Sequence, residues 1–258
     1  MRSGSSLRGL GGRFVRWSLP VVLLAVAGCG GALRNAVVPM PTIVGPSPPG
    51  ADCAVVLLPG RGETHEDLIA AGFARAVAER GLAIQVIAAD AHLGYYREGS
   101  IVDRLRSDVV APLRAEGKRV WLAGISLGGL GTIIYAREHA GDLDGLIAIA
   151  PFLGKRGLVE EIVAAGGPAH WRPAPPPAEN TVEALWVWIG RSYAGTPPVR
   201  TRLAYGTGDR LHDGQDLFAE QLDPENVLTV PGGHNNSVWT KLWSELLDRG
   251  LVCSPPES

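Results

Sequence analysis

The sequence predicts an α/β protein with a mostly parallel sheet of about six or more strands and helices on both of its faces. Two observations predict this class: short, continuous apolar runs recur along the chain, and segments with helical spacing of apolar residues separate them. Continuous apolar strands are typical of parallel sheets, because crossover helices bury both faces. Right-handed crossovers bring the carboxyl ends of the strands to one edge, where ligands bind in such sheets.

Residues 1–28 have the pattern of an export signal. Four arginines and no acidic residue accompany the apolar run Leu19–Ala27, which is too short to span a bilayer. The run ends in Val26-Ala27-Gly28-Cys29, which resembles the bacterial lipoprotein signal, in which the cysteine is lipidated and becomes the mature N-terminus. We therefore expect an exported protein, lipid-anchored to the bacterial cell envelope through Cys29, and facing the periplasm from the outer membrane if the host has one. An ordinary cleaved signal peptide and an uncleaved anchor are the alternatives.

The expected mature chain is acidic. Removal of residues 1–28 takes four of the 24 basic residues and none of the 26 acidic ones, which leaves a net charge of −6 with neutral histidines. This charge argues against a nucleic-acid partner, which would favour a basic face. Membrane attachment would then depend on lipid rather than on a basic surface.

Residues 29–52 are rich in proline and glycine and predict a tether, although Thr42–Val44 could add an edge strand. The domain proper is expected over residues 53–253. After its first strand, Thr64–Asp67 has the form of a capping box and starts a single predicted helix that continues to Arg80, with Gly81 as its stop.

The rest of the chain continues the alternation of strands and helices. Residues 101–116 predict a helix in which Pro112 is a possible kink or break, and residues 127–139 and 237–251 predict two more helices. Residues 152–199 are too long for a plain connection, so they predict a small cap with helices near 160–165 and 181–191. The predicted strands are Ala54–Leu58, Leu82–Ala88, Arg119–Ala123, Leu146–Ala150, Thr201–Tyr205 and Val227–Val230.

The stretch Gly124-Ile125-Ser126-Leu127-Gly128 follows a predicted strand and opens a predicted helix. A G-x-S-x-G sequence in that context forms a sharp turn that exposes the serine hydroxyl above the sheet edge. The small residues at 124 and 128 let the strand and the helix pass close to each other. A serine in this position is a nucleophile only if a base and an acid lie nearby.

Candidates for both partners follow later strands. His234 lies in a glycine-rich loop after the last predicted strand, and its neutral imidazole could take the serine proton near neutral pH. Asp209 lies just past the preceding strand, where its carboxylate could orient that imidazole. Asp213 and Asp216 are rival acids and His212 is a rival base, but His212 is too close to Asp209 in sequence for the expected separation.

With these three residues in the order Ser, Asp, His, the chain resembles the serine hydrolases of the α/β-hydrolase fold, which include esterases and lipases. The resemblance covers roughly residues 53–251. It implies an oxyanion hole, for which we expect the backbone N–H groups of Leu127 and Arg61. It also implies cleavage of small-molecule carboxylic esters through an acyl-enzyme on Ser126, with no cofactor and no metal.

Two other functions remain open at this point. An envelope acyltransferase or peptidase would use the same residues with a different acceptor. A binding lipoprotein could keep the fold and lack turnover, because fold does not determine function.

The predicted topology also places two cysteines together. Cys53 starts a strand at the edge opposite Ser126, and Cys253 follows the last helix, which runs back to that edge. An exported protein enters an oxidising compartment, so the sequence predicts a Cys53–Cys253 disulfide. The alternative is two unpaired thiols.

Overall fold

The computed structural model describes residues 34–254. The predicted signal segment and Cys29 lie outside the described residues. Seven strands form one sheet in the order β1-β3-β2-β4-β5-β6-β7. All neighbouring strands are parallel except β1, which pairs antiparallel with β3. The strands are β1 Thr42–Val44, β2 Cys53–Leu58, β3 Ile84–Ala89, β4 Arg119–Ile125, β5 Gly145–Ile149, β6 Thr201–Gly206 and β7 Val227–Val230.

Within residues 34–254, ten α-helices connect or flank these strands. Every residue of β2, β5 and β6 is buried, which explains why β2 and β5 are continuous apolar runs in the sequence. The predicted fold class, a mostly parallel sheet with helices, is confirmed. The helices are α1 His65–Ala70, α2 Phe73–Glu79, α3 Leu93–Arg97, α4 Ile101–Leu105, α5 Ala111–Ala115, α6 Leu127–His139, α7 Arg156–Ala164, α8 Val182–Ser192, α9 His212–Ala219 and α10 Asn236–Asp248.

The single helix predicted from Thr64 to Arg80 is wrong, because two helices occupy this stretch. The capping box at Thr64 and Asp67 is present at the start of α1. Gly72 then adopts a left-handed conformation, with φ of 91°, and breaks the helix. A glycine reaches this conformation at little steric cost, so the chain can turn here and begin α2.

The predicted helix over residues 101–116 is continuous, but its geometry changes in the middle. Between α4 and α5, the stretch Arg106–Val110 is π-helical, and the Ala111 N–H donates to the Arg106 carbonyl. Pro112 follows in the first turn of α5. A proline ring clashes with the carbonyl four residues before it in a regular helix, and the wider π turn precedes this position.

The tether predicted for residues 29–52 is wrong for the part that the structure describes. Residues 42–44 form β1, and the Met40 side chain is buried. Arg34 makes a two-pronged ion pair with the fully buried carboxylate of Asp90, just past β3. The folded domain therefore begins well before Cys53.

The segment between β5 and β6 contains the two helices expected of a cap, α7 and α8. Two of its three tryptophans, Trp171 and Trp186, are buried, and Trp188 is partly exposed. Trp186 is fully buried and its indole N–H donates to the Leu153 carbonyl at 2.8 Å. Trp171 is also buried, and its indole N–H donates to Glu161 at 3.0 Å. These two side chains stabilise the segment itself.

A disulfide joins Cys53 to Cys253, with Cα atoms 6.1 Å apart and a sequence separation of 200. Cys53 is the first residue of β2, and Cys253 lies five residues beyond the end of α10. The helix ends at Asp248, before the predicted Leu251, and an irregular turn carries the chain to the cysteine. The bond therefore lies at the amino ends of the parallel strands, opposite Ser126.

Candidate active site

Ser126 occupies a sharp turn between β4 and α6. Its backbone has φ of 53° and ψ of −106°, a conformation that a residue with a side chain rarely adopts. Two hydrogen bonds hold it: the Ser126 N–H donates to the Ile149 carbonyl at 2.9 Å, and the Phe152 N–H donates to the Ser126 carbonyl at 3.0 Å. The neighbouring strand β5 thus keeps the serine in its strained position.

Two glycines make this turn possible. A Cβ atom on Gly124 would lie 2.0 Å from the Gly128 carbonyl oxygen, so β4 and α6 are in backbone contact. A Cβ atom on Gly128 would lie 2.3 Å from the Leu58 carbonyl oxygen at the end of β2. The first turn of α6 is therefore pressed against both β4 and β2, which places the loop after β2 beside Ser126.

The three residues that the sequence singled out form one hydrogen-bonded chain. The Ser126 hydroxyl lies 2.9 Å from Nε2 of His234, and Nδ1 of His234 lies 2.7 Å from Oδ2 of Asp209. With Nδ1 donating to the carboxylate, Nε2 is free to accept the serine proton. The side chains come from the carboxyl ends of β4, β6 and β7, at one edge of the sheet.

Asp209 is almost fully buried, with 1% of its surface exposed. Burial raises the pKa of its carboxyl group, but hydrogen bonds from His234, from the Leu211 N–H at 2.8 Å and from Gln215 outweigh burial and leave the pKa below its usual value. The group is therefore an ionised acceptor at neutral pH. It can both orient His234 and stabilise its protonated form.

The rival residues belong to a separate cluster on α9. His212 lies 3.0 Å from Oδ2 of Asp216, and the Tyr205 hydroxyl donates to Asp216 at 2.6 Å. Asp213 lies in the first turn of α9, 3.4 Å from His212. None of these side chains is bonded to Ser126 or His234 in the part of the chain that the structure describes.

The two expected oxyanion donors lie on separate segments, the start of α6 and the loop after β2. Leu127 is the first residue of α6, so its N–H has no acceptor within the helix. Arg61 lies in a turn that is closed by the Glu63 N–H, which donates to the Gly60 carbonyl at 3.2 Å, and by Gly62 with φ of 86°. The Gly60 N–H is occupied, because it donates to the Glu63 carboxylate at 2.9 Å. The roles of Leu127 and Arg61 stay predictions.

Four further residues surround the chain of three and were missed from the sequence. Gln215 is fully buried beside Asp209, and Trp239 lies edge-on to the His234 ring with centroids 5.0 Å apart. Glu63 lies on the loop that carries Arg61, and Asn236 starts α10 just after the loop that carries His234. Nothing in their local sequence indicates these contacts, since each depends on how separate loops meet.

A cavity of about 250 Å³ begins at Leu127, the residue after the candidate nucleophile, and both apolar and polar side chains line it. It extends along one face of α6 toward the first turn of α8. Its apolar lining comprises Tyr96, Ile101, Val102, Leu127, Leu130, Ile134 and Val182.

Residues 34–254 contain no group of three or more histidine, cysteine, aspartate or glutamate side chains placed to hold a metal ion. Across the same residues, no helix has both the length and the apolar character needed to cross a bilayer.

Several solved structures share this architecture. MPT51 (FbpC1) of Mycobacterium tuberculosis matches with a TM-score of 0.59 at 16% identity, over 84% of this chain and 94% of that one. An S-formylglutathione hydrolase from Agrobacterium tumefaciens matches with a TM-score of 0.57 at 16% identity, over 84% and 90% of the two chains. Est1E from Butyrivibrio proteoclasticus matches with a TM-score of 0.55 at 16% identity, over 82% and 94%.

The chain has the α/β-hydrolase fold. No protein-family model matches the chain, and no curated protein matches it in sequence. At this level of identity the structural neighbours establish the fold, and the activity has to be argued from the site.

Proposed function

We propose that this chain is a serine hydrolase that cleaves carboxylic esters through an acyl-enzyme on Ser126. One observation carries the proposal: the continuous hydrogen-bonded chain from Ser126 through His234 to the buried Asp209, with distances of 2.9 and 2.7 Å. A strained serine, a base in contact with it and an acid that orients the base are the parts that nucleophilic acyl transfer requires.

In the first half of the reaction, Nε2 of His234 takes the proton from the Ser126 hydroxyl as its oxygen attacks the ester carbonyl carbon. The carbonyl π bond breaks and its oxygen becomes an oxyanion, which the N–H groups of Leu127 and Arg61 would stabilise. The tetrahedral intermediate then collapses. Its C–O bond to the alcohol breaks, the protonated His234 gives its proton to the leaving alkoxide, and the acyl group stays on Ser126.

In the second half, water replaces the alcohol. His234 takes a proton from water as the oxygen attacks the acyl carbon, and the same two N–H groups would hold the new oxyanion. The bond to Ser126 breaks and His234 returns the proton to the serine oxygen. Asp209 stays ionised throughout and stabilises the imidazolium of each step. An apolar acyl group would suit the cavity that begins at Leu127.

The test is turnover of p-nitrophenyl esters, from acetate to octanoate, together with labelling by a fluorophosphonate probe. Wild-type protein should turn over the esters and label, and Ser126→Ala should do neither. Ser107→Ala, which changes an exposed serine in the π-helical stretch, is the matched control and should behave as wild type. Equal labelling of wild type and Ser126→Ala would overturn the proposal.

The same assay addresses the alternative functions. An alcohol or amine acceptor that accelerates release of the acyl group severalfold would indicate a transferase. Turnover of peptide substrates but not of esters would indicate a peptidase. A correctly folded wild type that neither labels nor turns over any substrate would favour a binding protein.

We also propose that the protein is exported and attached to the cell envelope by lipid on Cys29. The support is the order of basic, apolar and small residues before this cysteine, together with the Cys53–Cys253 disulfide, which an oxidising compartment favours. Radiolabelled fatty acid should enter the wild-type protein expressed in bacteria and not Cys29→Ala. Label in both proteins, or in neither, would contradict the anchor.

A further inference from the structure

We infer that Glu63 is a positioning residue that ties the turn carrying Arg61 to the loop carrying His234. The inference rests on the proposed function, because it concerns how the expected oxyanion donor and the base are held relative to each other. Glu63 is the last residue of that turn and precedes Thr64, the N-cap of α1. Nothing in the acyl-transfer steps uses it.

Glu63 closes the turn from two sides. Its backbone N–H donates to the Gly60 carbonyl at 3.2 Å, and its carboxylate accepts from the Gly60 N–H at 2.9 Å. A Cβ atom on Gly60 would lie 2.6 Å from the Glu63 carboxylate oxygen, so the glycine makes room for this bond. The two bonds set the plane of the turn, and with it the direction of the Arg61 N–H between them.

Glu63 also reaches the histidine loop. Its carboxylate faces the side chain of Asn236, the first residue of α10, two positions after His234, and the Asn236 amide lowers the pKa of Glu63. Both side chains line an open cleft of about 640 Å³ between α1 and α10. The Glu63 carboxylate therefore connects Gly60, which precedes the expected oxyanion donor, with Asn236, which lies two residues after the base.

The surroundings of Glu63 disfavour its ionised form. Burial raises the pKa of Glu63, Asp67 on α1 raises it further, and the bond from Gly60, the Asn236 amide and the nearby His234 lower it in part, leaving it above its usual value. A half-buried acid held next to a histidine is typical of functional sites. An ionised Glu63 would also favour the imidazolium that forms at His234 during each step.

Loss of the tie should affect the transition state more than substrate binding, since the oxyanion exists only in the former. For Glu63→Ala we expect kcat on p-nitrophenyl esters to fall by about 10- to 100-fold, less than the 10²–10³ typical for loss of an oxyanion donor itself. KM should change by less than about threefold. Glu63→Gln should keep most of kcat, because the amide oxygen can still accept the Gly60 N–H.

The experiment measures kcat, KM and melting temperature for wild type, Glu63→Ala, Glu63→Gln and Asn236→Ala. It also measures the affinity of a trifluoromethyl ketone, which forms a tetrahedral oxyanion on the serine. Thr240→Ala, on α10 at the edge of the same cleft, is the matched control and should match wild type. Glu63→Ala and Asn236→Ala should lower kcat and ketone affinity by similar factors.

The outcomes separate the inference from the proposed function. A wild type without ester turnover overturns both. An active wild type with unchanged kcat and ketone affinity in Glu63→Ala overturns the role of Glu63 alone, and so does a loss in Glu63→Gln as large as in Glu63→Ala. If Glu63→Ala does not fold, Asn236→Ala and Glu63→Gln decide: reduced kcat in the former with near-normal kcat in the latter supports the tie.

Discussion

At the scale of single residues, the candidate acid Asp209 and its rival Asp216 each contact a histidine and differ mainly in burial. Asp209 is fully enclosed and its carboxylate is hydrogen-bonded on both oxygens, whereas Asp216 is half exposed on α9 and bonded to the exposed His212. Exposed pairs of this kind contribute little, because water screens them. Only the buried pair is in line with a serine hydroxyl. Burial and direction, which residue type alone does not reveal, therefore distinguish the candidate acid from its rivals.

Asp209→Asn should reduce kcat on p-nitrophenyl esters by about 10⁴-fold, because an amide N–H₂ facing Nδ1 favours the wrong tautomer of His234 and no charge stabilises the imidazolium. The measurement is single-turnover and steady-state kinetics at neutral pH. Asp216→Asn is the matched control: it alters a second His–Asp contact and should leave kcat within about twofold. Similar losses in the two variants would contradict the assignment of Asp209.

At the scale of elements, the site depends on the backbone contact between α6, β4 and the end of β2. Gly128 is the point of closest approach, and both the Leu58 and Pro59 carbonyls would lie within 2.8 Å of a Cβ atom there. The contact leaves no room for a methyl group. It also determines where the turn with Arg61 begins, so packing between elements and the geometry of the site are coupled here.

Gly128→Ala should destabilise the fold by about 1–3 kcal/mol, as is typical of overpacking, because only backbone atoms could move to relieve the clash. It should also lower kcat, since the turn after β2 would shift away from Ser126. Urea denaturation and ester kinetics measure the two effects. Gly157→Ala in α7 has open space around it and should instead stabilise by up to about 1 kcal/mol, through helix propensity. Equal stabilities for the two variants would refute the steric argument.

At the scale of the whole molecule, the candidate active site and the disulfide lie at opposite ends of the strands of the sheet. Its carboxyl edge carries Ser126, Asp209 and His234, and its amino edge carries the Cys53–Cys253 bond. The Arg119 side chain adds a hydrogen bond from the start of β4 to the Cys253 carbonyl at 2.9 Å. The covalent closure of the chain therefore lies one strand length away from the proposed chemistry.

Replacing both Cys53 and Cys253 by alanine should lower the free energy of unfolding by about 2–5 kcal/mol, because the unfolded chain loses a cross-link with a sequence separation of 200. Ester kinetics should stay within about threefold of wild type, since the bond is remote from Ser126. Thermal unfolding with and without a reductant provides the control. Reductant should lower the melting temperature of wild type and leave that of the double variant unchanged; a reductant effect on both would contradict the bond as its cause.

The sequence by itself determined the parallel sheet and the order of Ser126, Asp209 and His234 along it. Continuous apolar runs report burial on both faces, and the carboxyl ends of parallel strands must meet at one edge. The run Thr42–Val44 suggested an edge strand, but local patterns did not reveal its antiparallel pairing with β3, which depends on the register of a distant strand. They also did not reveal the break at Gly72, because the apolar face that follows the capping box continues across this glycine.

The contacts of Glu63, Gln215 and Arg34 were decided only by the tertiary structure. Each side chain reaches a group on a separate segment, and nothing in its neighbours along the chain specifies that partner. The strain at Ser126 is similar, since its backbone is held by carbonyl and N–H groups of β5 and the residues that follow it. Periodicity along a chain encodes which faces are buried, whereas the meeting of side chains from different loops depends on how the buried faces pack.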